Sequence, residues 1–250
     1  MTVLALSPHL DDAVFSAGAR LADVQQKGGQ SLVLTLFAGD PSRIPPLAGE
    51  LHRQWRLDDD AVETRRREDR AACLELGARA EHWPLQDAIY RESLPDDPRI
   101  AQTWLFRMFA DPRWVDDCTD RLRRVAERES WEQVLLPLGI GGHVDHRITR
   151  AAGERAFPPE LLLYYEDYPY RRRHRKRWRA LWPPGRLRSA HLTVTEPLLA
   201  AKCRAVRCYR SQLRSLAPAD AIDAKLERDF DRFERFWRLR PGRRPPARAN

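Results

Sequence analysis

The sequence predicts an α/β fold, a single domain built on a mainly parallel sheet with helices on its faces, and three observations predict it. Apolar runs of strand length recur at Val3 to Leu6, Ser31 to Ala38, Val134 to Leu138 and Leu161 to Tyr165. Segments with helical spacing separate them, the alternation that βαβ crossovers produce. At two of the strand ends, Ser7 to Gly18 and Gly139 to Arg147, His and Asp gather beside turns. The carboxyl edge of an open α/β sheet is where such folds carry their chemistry.

Each element follows from local signals. Pro8 cannot extend a ladder, so the first strand stops before it. A helix from Asp12 to Gln26 then starts with acidic residues, which suit the positive end of its dipole, and closes at Gly28 and Gly29. The run Ser31 to Ala38 is apolar enough for a strand buried on both faces. Gly39 to Asp60 is rich in Pro, Asp and Arg, carries an exposed-looking Trp55, and reads as a long loop, either a substrate lid or a disordered surface excursion. A charged helix from Ala61 to Leu76 ends at Gly77, Glu81 to Trp83 makes a short strand, and Pro84 to Pro98 is loop. Helical patterns occupy Ile100 to Ala110 and Trp114 to Arg128, and a further helix runs from Asp145 to Ala156. No repeat or linker divides the chain, so residues 1–239 read as one domain and Arg240 to Asn250, basic and Pro-rich, as a disordered tail.

Composition bounds the function. A chain of 250 residues can bury one sizeable core. Its formal charge of +8 is carried almost wholly by Arg, since Lys occurs only at 27, 176, 202 and 225, and such a bias reflects genome composition as readily as an anionic partner. One dense basic block, Arg171 to Arg179, could grip the phosphates of a nucleic acid, a nucleotide sugar or a phospholipid. Nothing periodic or aromatic completes a nucleic-acid surface, which favours a solvated face. The cysteines at 73, 118, 203 and 208 form no Cys-x-x-Cys pair, so no disulfide scaffold is implied and a reducing compartment fits. No run approaches the ~20 apolar residues of a membrane span, and no basic-then-apolar leader is read. The expectation is a cytoplasmic protein, of an oligomeric state the sequence leaves open.

The two His/Asp stretches carry the chemistry. Ser7-Pro8-His9-Leu10-Asp11-Asp12 offers one His and two carboxylates, and Gly142-His143-Val144-Asp145-His146-Arg147 offers two His on one side of a helix start. His9, Asp12 and one of these His would give a three-ligand metal site. A single His or Asp near a turn is usually a cap or a surface group; two convergent triplets are much harder to explain that way.

Together these stretches resemble the LmbE/PIG-L family of zinc-dependent N-acetylglucosamine deacetylases, whose signatures are a His-Pro-Asp-Asp-Glu type segment and a His-x-Asp-His segment. Order and spacing match, with Leu10 in place of the usual Pro and Ala13 in place of the usual Glu. Weaker family-like features are Arg65 and Glu68, Asp87 to Arg91, Tyr165 to Tyr170, and Lys202 with Tyr209 to Gln212. The resemblance implies that His9, Asp12 and His146 hold zinc and that Asp11 is the general base. Catalytic zinc takes three protein ligands and keeps one position for water, whose pKa it lowers toward ~7; the same donors suit Fe2+ or Co2+. His143 would stand across the scissile amide as a protonated imidazole, stabilising the oxyanion and then protonating the amine, with Asp145 orienting or charge-tuning it.

Substrate contacts are expected from Arg65 or Arg66, Glu68, Asp87, Tyr90 and Asp167, which resemble positions that bind sugar hydroxyls or a phosphate. A helix face spelling Arg-Arg-Arg-Glu-Asp-Arg is equally a salt-bridged surface. Tyr90, Tyr168 and Trp55 could stack on a sugar ring or serve as packing anchors. The expected fold is a Rossmann-like sheet, and the expected activity is removal of an N-acetyl group from a small-molecule amino sugar or glycoconjugate. Two other readings stand beside it: an amidase on a thiol or secondary-metabolite conjugate, and a nucleic-acid or anionic-surface binding module, which has no need of a tightly held zinc.

Overall fold

A computed structural model describes residues 1–58, 60–170, 186–230 and 233–240. The basic block Arg171 to Arg179 and the tail beyond Arg240 lie outside the described residues. In chain order the elements are β1 (Thr2–Ser7), α1 (Asp12–Gln26), β2 (Gln30–Thr35), α2 (Pro46–Trp55), α3 (Ala61–Glu75), β3 (Arg79–His82), α4 (Pro98–Leu105) and α5 (Pro112–Arg128). There follow β4 (Gln133–Pro137), α6 (Val144–Ala156), β5 (Leu162–Tyr165), β6 (Leu187–Thr193), α7 (Glu196–Arg207), α8 (Arg210–Leu216), α9 (Ile222–Phe230) and β7 (Phe233–Leu239).

Among the described residues seven strands join one sheet in the order β3-β2-β1-β4-β5-β7-β6. The neighbours from β3 to β5 are parallel, whereas β7 runs antiparallel to both β5 and β6. β1 sits where the strand order reverses, with β2 on one side and β4 on the other. A crevice therefore opens beyond the carboxyl ends of β1 and β4, and both His/Asp segments leave the sheet there. Alternation along β1 divides the core. Leu4 and Leu6 pack with Leu34, Leu136, Leu122 and Ile148 on one face, while Val3 and Ala5 pack with Val33, Leu135, Val14 and Val206 on the other.

The early elements fall close to where the sequence places them, and α1 matches at both ends. The stretch from Gly39 to Asp60 is a correction. Pro46 occupies the first turn of α2, where a missing N–H costs nothing, and Leu47, Ala48 and Trp55 are buried on one side of that helix. Trp55 is accordingly a core residue, not an exposed one. Beyond Tyr165 the sequence signals no further strand or helix, although among the described residues α7, α8, α9 and the antiparallel pair β6 and β7 follow. In β7 a buried Glu234 and exposed Arg235 replace the apolar alternation that announces a strand.

That buried glutamate closes a break in α1. Ala17 has φ −134° inside the helix, and the N–H groups of Ala19 and Arg20 each donate to Glu234 at 2.8 Å. Lys202 of α7 supplies the opposing charge. At the other end of the core, a Cβ added to Gly39 would stand 2.4 Å from the Pro84 carbonyl oxygen, and Gly39 N–H already donates to Leu85 O at 2.9 Å. Neither backbone can yield. Gly39→Ala is expected to cost about 1 to 3 kcal/mol, read as a lower urea midpoint at unchanged slope; an unchanged midpoint would mean the loop moves freely.

Among the described residues no helix is long and apolar enough to cross a membrane. The four cysteines are free, and Cys73, Cys118 and Cys203 are buried.

Candidate metal centre

The first His/Asp loop is pinned by its own side chains. Ser7 Oγ donates to His9 O at 2.6 Å and accepts the Ala13 N–H at 3.0 Å. Asp12 lies in the first turn of α1, and its Oδ2 accepts the His9 N–H at 2.9 Å. Asp11, the residue before the helix, caps nothing. Its carboxylate faces the crevice, with Arg65 Nη2 3.7 Å away.

The second loop turns on Gly139, Gly141 and Gly142, whose φ values of 80°, 93° and 82° lie where a Cβ is costly. This brings His143 to the N-cap of α6, where its Nδ1 accepts the Asp145 N–H at 3.3 Å. His146 Nδ1 meets Asp167 Oδ1 at 2.6 Å, and Asp167 Oδ2 accepts the Ile140 N–H at 2.8 Å. The Asp167 contact places the proton on Nδ1. His146 Nε2 is then a buried nitrogen without a hydrogen-bond partner.

It faces Asp12 Oδ2 at 3.3 Å, and His9 Nδ1 is 3.1 Å from the same oxygen. Three donor atoms thus converge from two strand ends, the His/Asp/His set that a divalent transition metal takes. Each imidazole is backed on its far nitrogen by a carboxylate, His146 by Asp167 and His9, through Nε2, by Asp145 at 3.1 Å. One ring nitrogen from each of His9, His143 and His146 also lies within 4.8 Å of the other two.

The electrostatics invite positive charge. Burial opposes ionisation of His146, but Asp12 and Asp167 outweigh it and drive its pKa up to about 10. His9 is likewise raised against its burial by Asp87, Asp12 and Asp145. The carboxyl of Asp12 is held well below the usual range because His146 and His9 outweigh its burial. Asp11 goes the other way, pushed up to about 7 by burial and by Asp12, with Arg65 pulling against them.

The Asp145 carboxylate acts on the charge of His143 but makes its hydrogen bonds elsewhere: it accepts from Ala88 N–H at 2.9 Å and from Arg91 at 2.6 Å, and meets His9 Nε2 at 3.1 Å. The link to His143 runs through the Asp145 backbone N–H. His143 itself is kept neutral by burial and by the neighbouring His9, so it offers an N–H from Nε2 rather than a full positive charge.

A cavity of about 720 Å3 opens over His9, Asp11, Asp12 and His143. Of the expected substrate residues, Arg65 and Asp87 line it, as do Trp55 and Tyr168. The others have different partners. Glu68 accepts from Ser211 N–H at 2.9 Å and Ser211 Oγ at 2.6 Å, tying α3 to α8. Tyr90 is buried with its hydroxyl 2.7 Å from His52 Nε2, Asp167 holds His146, and Arg66 turns to Asp40 and Glu63. Gln212, from the family-like stretch Tyr209 to Gln212, also lies on the wall, whereas Gln54 and Gln102 there carried no signal in the sequence, since an isolated helical Gln looks like any solvated position.

The chain belongs to the PIG-L family, described as GlcNAc-PI de-N-acetylase, which matches residues 4–157. A 2'-N-acetylparomamine deacetylase of Niallia circulans is 29% identical over 257 residues, 93% of this chain and 88% of that protein. The zinc-inhibited form of a teicoplanin deacetylase is 30% identical with a TM-score of 0.76, over 99% of this chain and 100% of that one. A deacetylase of the A40926 pseudoaglycone is 31% identical with a TM-score of 0.75, over 98% of each chain.

Proposed function

We propose that this chain is a metal-dependent N-deacetylase that hydrolyses the acetamide of an N-acetylglucosamine-type amino sugar carried on a larger glycoconjugate. His9, Asp12 and His146 hold the metal, zinc in this reading. The observation that carries it is the partnerless, buried Nε2 of His146 set beside Asp12 Oδ2 and His9 Nδ1, with a carboxylate behind each imidazole. The related deacetylases of paromamine and teicoplanin type support the substrate class. A cavity of about 720 Å3 has room for more than one sugar.

When bound, the metal supplies Lewis acidity that polarises the amide carbonyl and acidifies water. Asp11, free of capping duty and beside Arg65, accepts the proton of the attacking water. His143 presents its Nε2–H to the carbonyl oxygen as that oxygen becomes negative, and the Asp145 N–H on Nδ1 keeps the proton on that side. Protonated Asp11 then returns its proton to the departing amine, giving acetate and a free amino sugar. Reduced, buried cysteines fit a cytoplasmic location, and we take the catalytic domain to run to Leu239.

The test is to strip the protein with chelator, restore one equivalent of zinc, and offer N-acetylated amino sugars with and without an aglycone. Acetate and primary amine should appear one to one, faster with the aglycone present. A protein that holds zinc yet releases acetate from none of them overturns the reading.

A further inference from the structure

We propose that Arg91 is a positioning residue of the metal centre: packed over two adjoining aromatic rings, its guanidinium fixes the Asp145 carboxylate that orients His9. The inference rests on the reading of His9 as a ligand. Asp145 is fully buried and satisfied from three sides, by His9 Nε2 at 3.1 Å, Ala88 N–H at 2.9 Å and Arg91 Nη2 at 2.6 Å. Two of those three donors come from one short segment. Asp87 locks it as a turn by accepting the Ile89 N–H at 3.1 Å, and Arg91 Nη2 also donates to Gln86 O at 3.1 Å.

The guanidinium packs on a pair of rings that touch each other. Its central carbon is 4.3 Å from the Trp114 ring and 4.9 Å from the Phe37 ring, and those rings are 6.1 Å apart. On such a pair of rings a planar cation is held by its carbon while its forked N–H groups stay available for the carboxylate, which an ammonium cannot match. Phe37 also stands 6.4 Å from His9, so one ring abuts both the ligand and the cation two steps behind it. Arg91 is absent from the cavity lining and contacts none of the three metal donors. Its effect on the metal passes through Asp145.

The experiment measures Zn2+ affinity by chelator competition and the visible spectrum of the Co2+ form for wild type, Arg91→Met, Asp145→Asn and the double variant. Arg91→Met should weaken metal binding roughly 10- to 100-fold, the range for losing an outer partner of a ligand, and shift the Co2+ bands. In the Asp145→Asn background the same substitution should add less than about twofold, because both act along one path. Arg91→Lys should fall between wild type and Met, and carries the same test if Met does not fold. Wild-type affinity and spectrum in the Arg91 variants, or fully additive losses in the double variant, would overturn the proposal. A wild-type protein that binds no metal would instead refute the metal-centre reading itself.

Discussion

Asp11→Asn is expected to keep its zinc and lose at least ~100-fold in turnover, while Asp12→Asn loses the zinc itself. The two carboxylates are adjacent in sequence but differ in every contact. Asp12 Oδ2 lies between two imidazole nitrogens, at 3.1 and 3.3 Å, and is held by the His9 N–H. A neutral amide there is a poorer donor to a dication. Asp11 touches neither imidazole; its neighbour is Arg65, and its carboxylate lines the cavity. An amide in its place preserves size and polarity but cannot take a proton. Zinc content and acetate release measured in parallel decide between them. Equal metal loss in both variants would make Asp11 a ligand, and near-normal turnover in Asp11→Asn would remove it as the base.

The histidine pair gives the second large effect. His146→Ala deletes a donor atom that has no other use and should abolish both metal binding and activity. His143→Ala should hold its metal near the wild-type level and slow turnover by about 10²- to 10³-fold, the loss of one preorganised oxyanion donor. His143→Gln, which keeps an N–H donor, should recover part of that loss. The comparison has force because ring distances alone would admit either histidine as a ligand. If His143→Ala loses its zinc, the roles are exchanged.

How much of this was legible in the residues depends on the kind of signal. The His and Asp positions were readable because liganding chemistry needs particular residue types at strand ends, and spacing does the rest. Outer partners were not. Asp145 was read only as a partner of His143, but its side chain also reaches across to His9, 136 residues away in sequence. Glu68 resembled a substrate contact and is a tether to Ser211. Polar residues on helices look alike until tertiary packing decides which face they meet. Helix α2 hid behind two prolines, since Pro45-Pro46 signals a turn and a helix start equally well. Strand β7 hid behind charge, because a buried Glu breaks the apolar alternation by which strands announce themselves.

That glutamate also sets an order of events during synthesis. Every residue assigned to the chemistry precedes Tyr170, and five parallel strands are already made by then. The helix carrying Asp12 is nevertheless interrupted at Ala17, and the two amides after the interruption wait for Glu234. Until the ribosome delivers β7, those amides can bond only to water, and the nascent catalytic half lacks the carboxylate that closes its first helix. The last strand acts as the latch on the first loop, and a chain stopped short of it would be damaged at its opposite end.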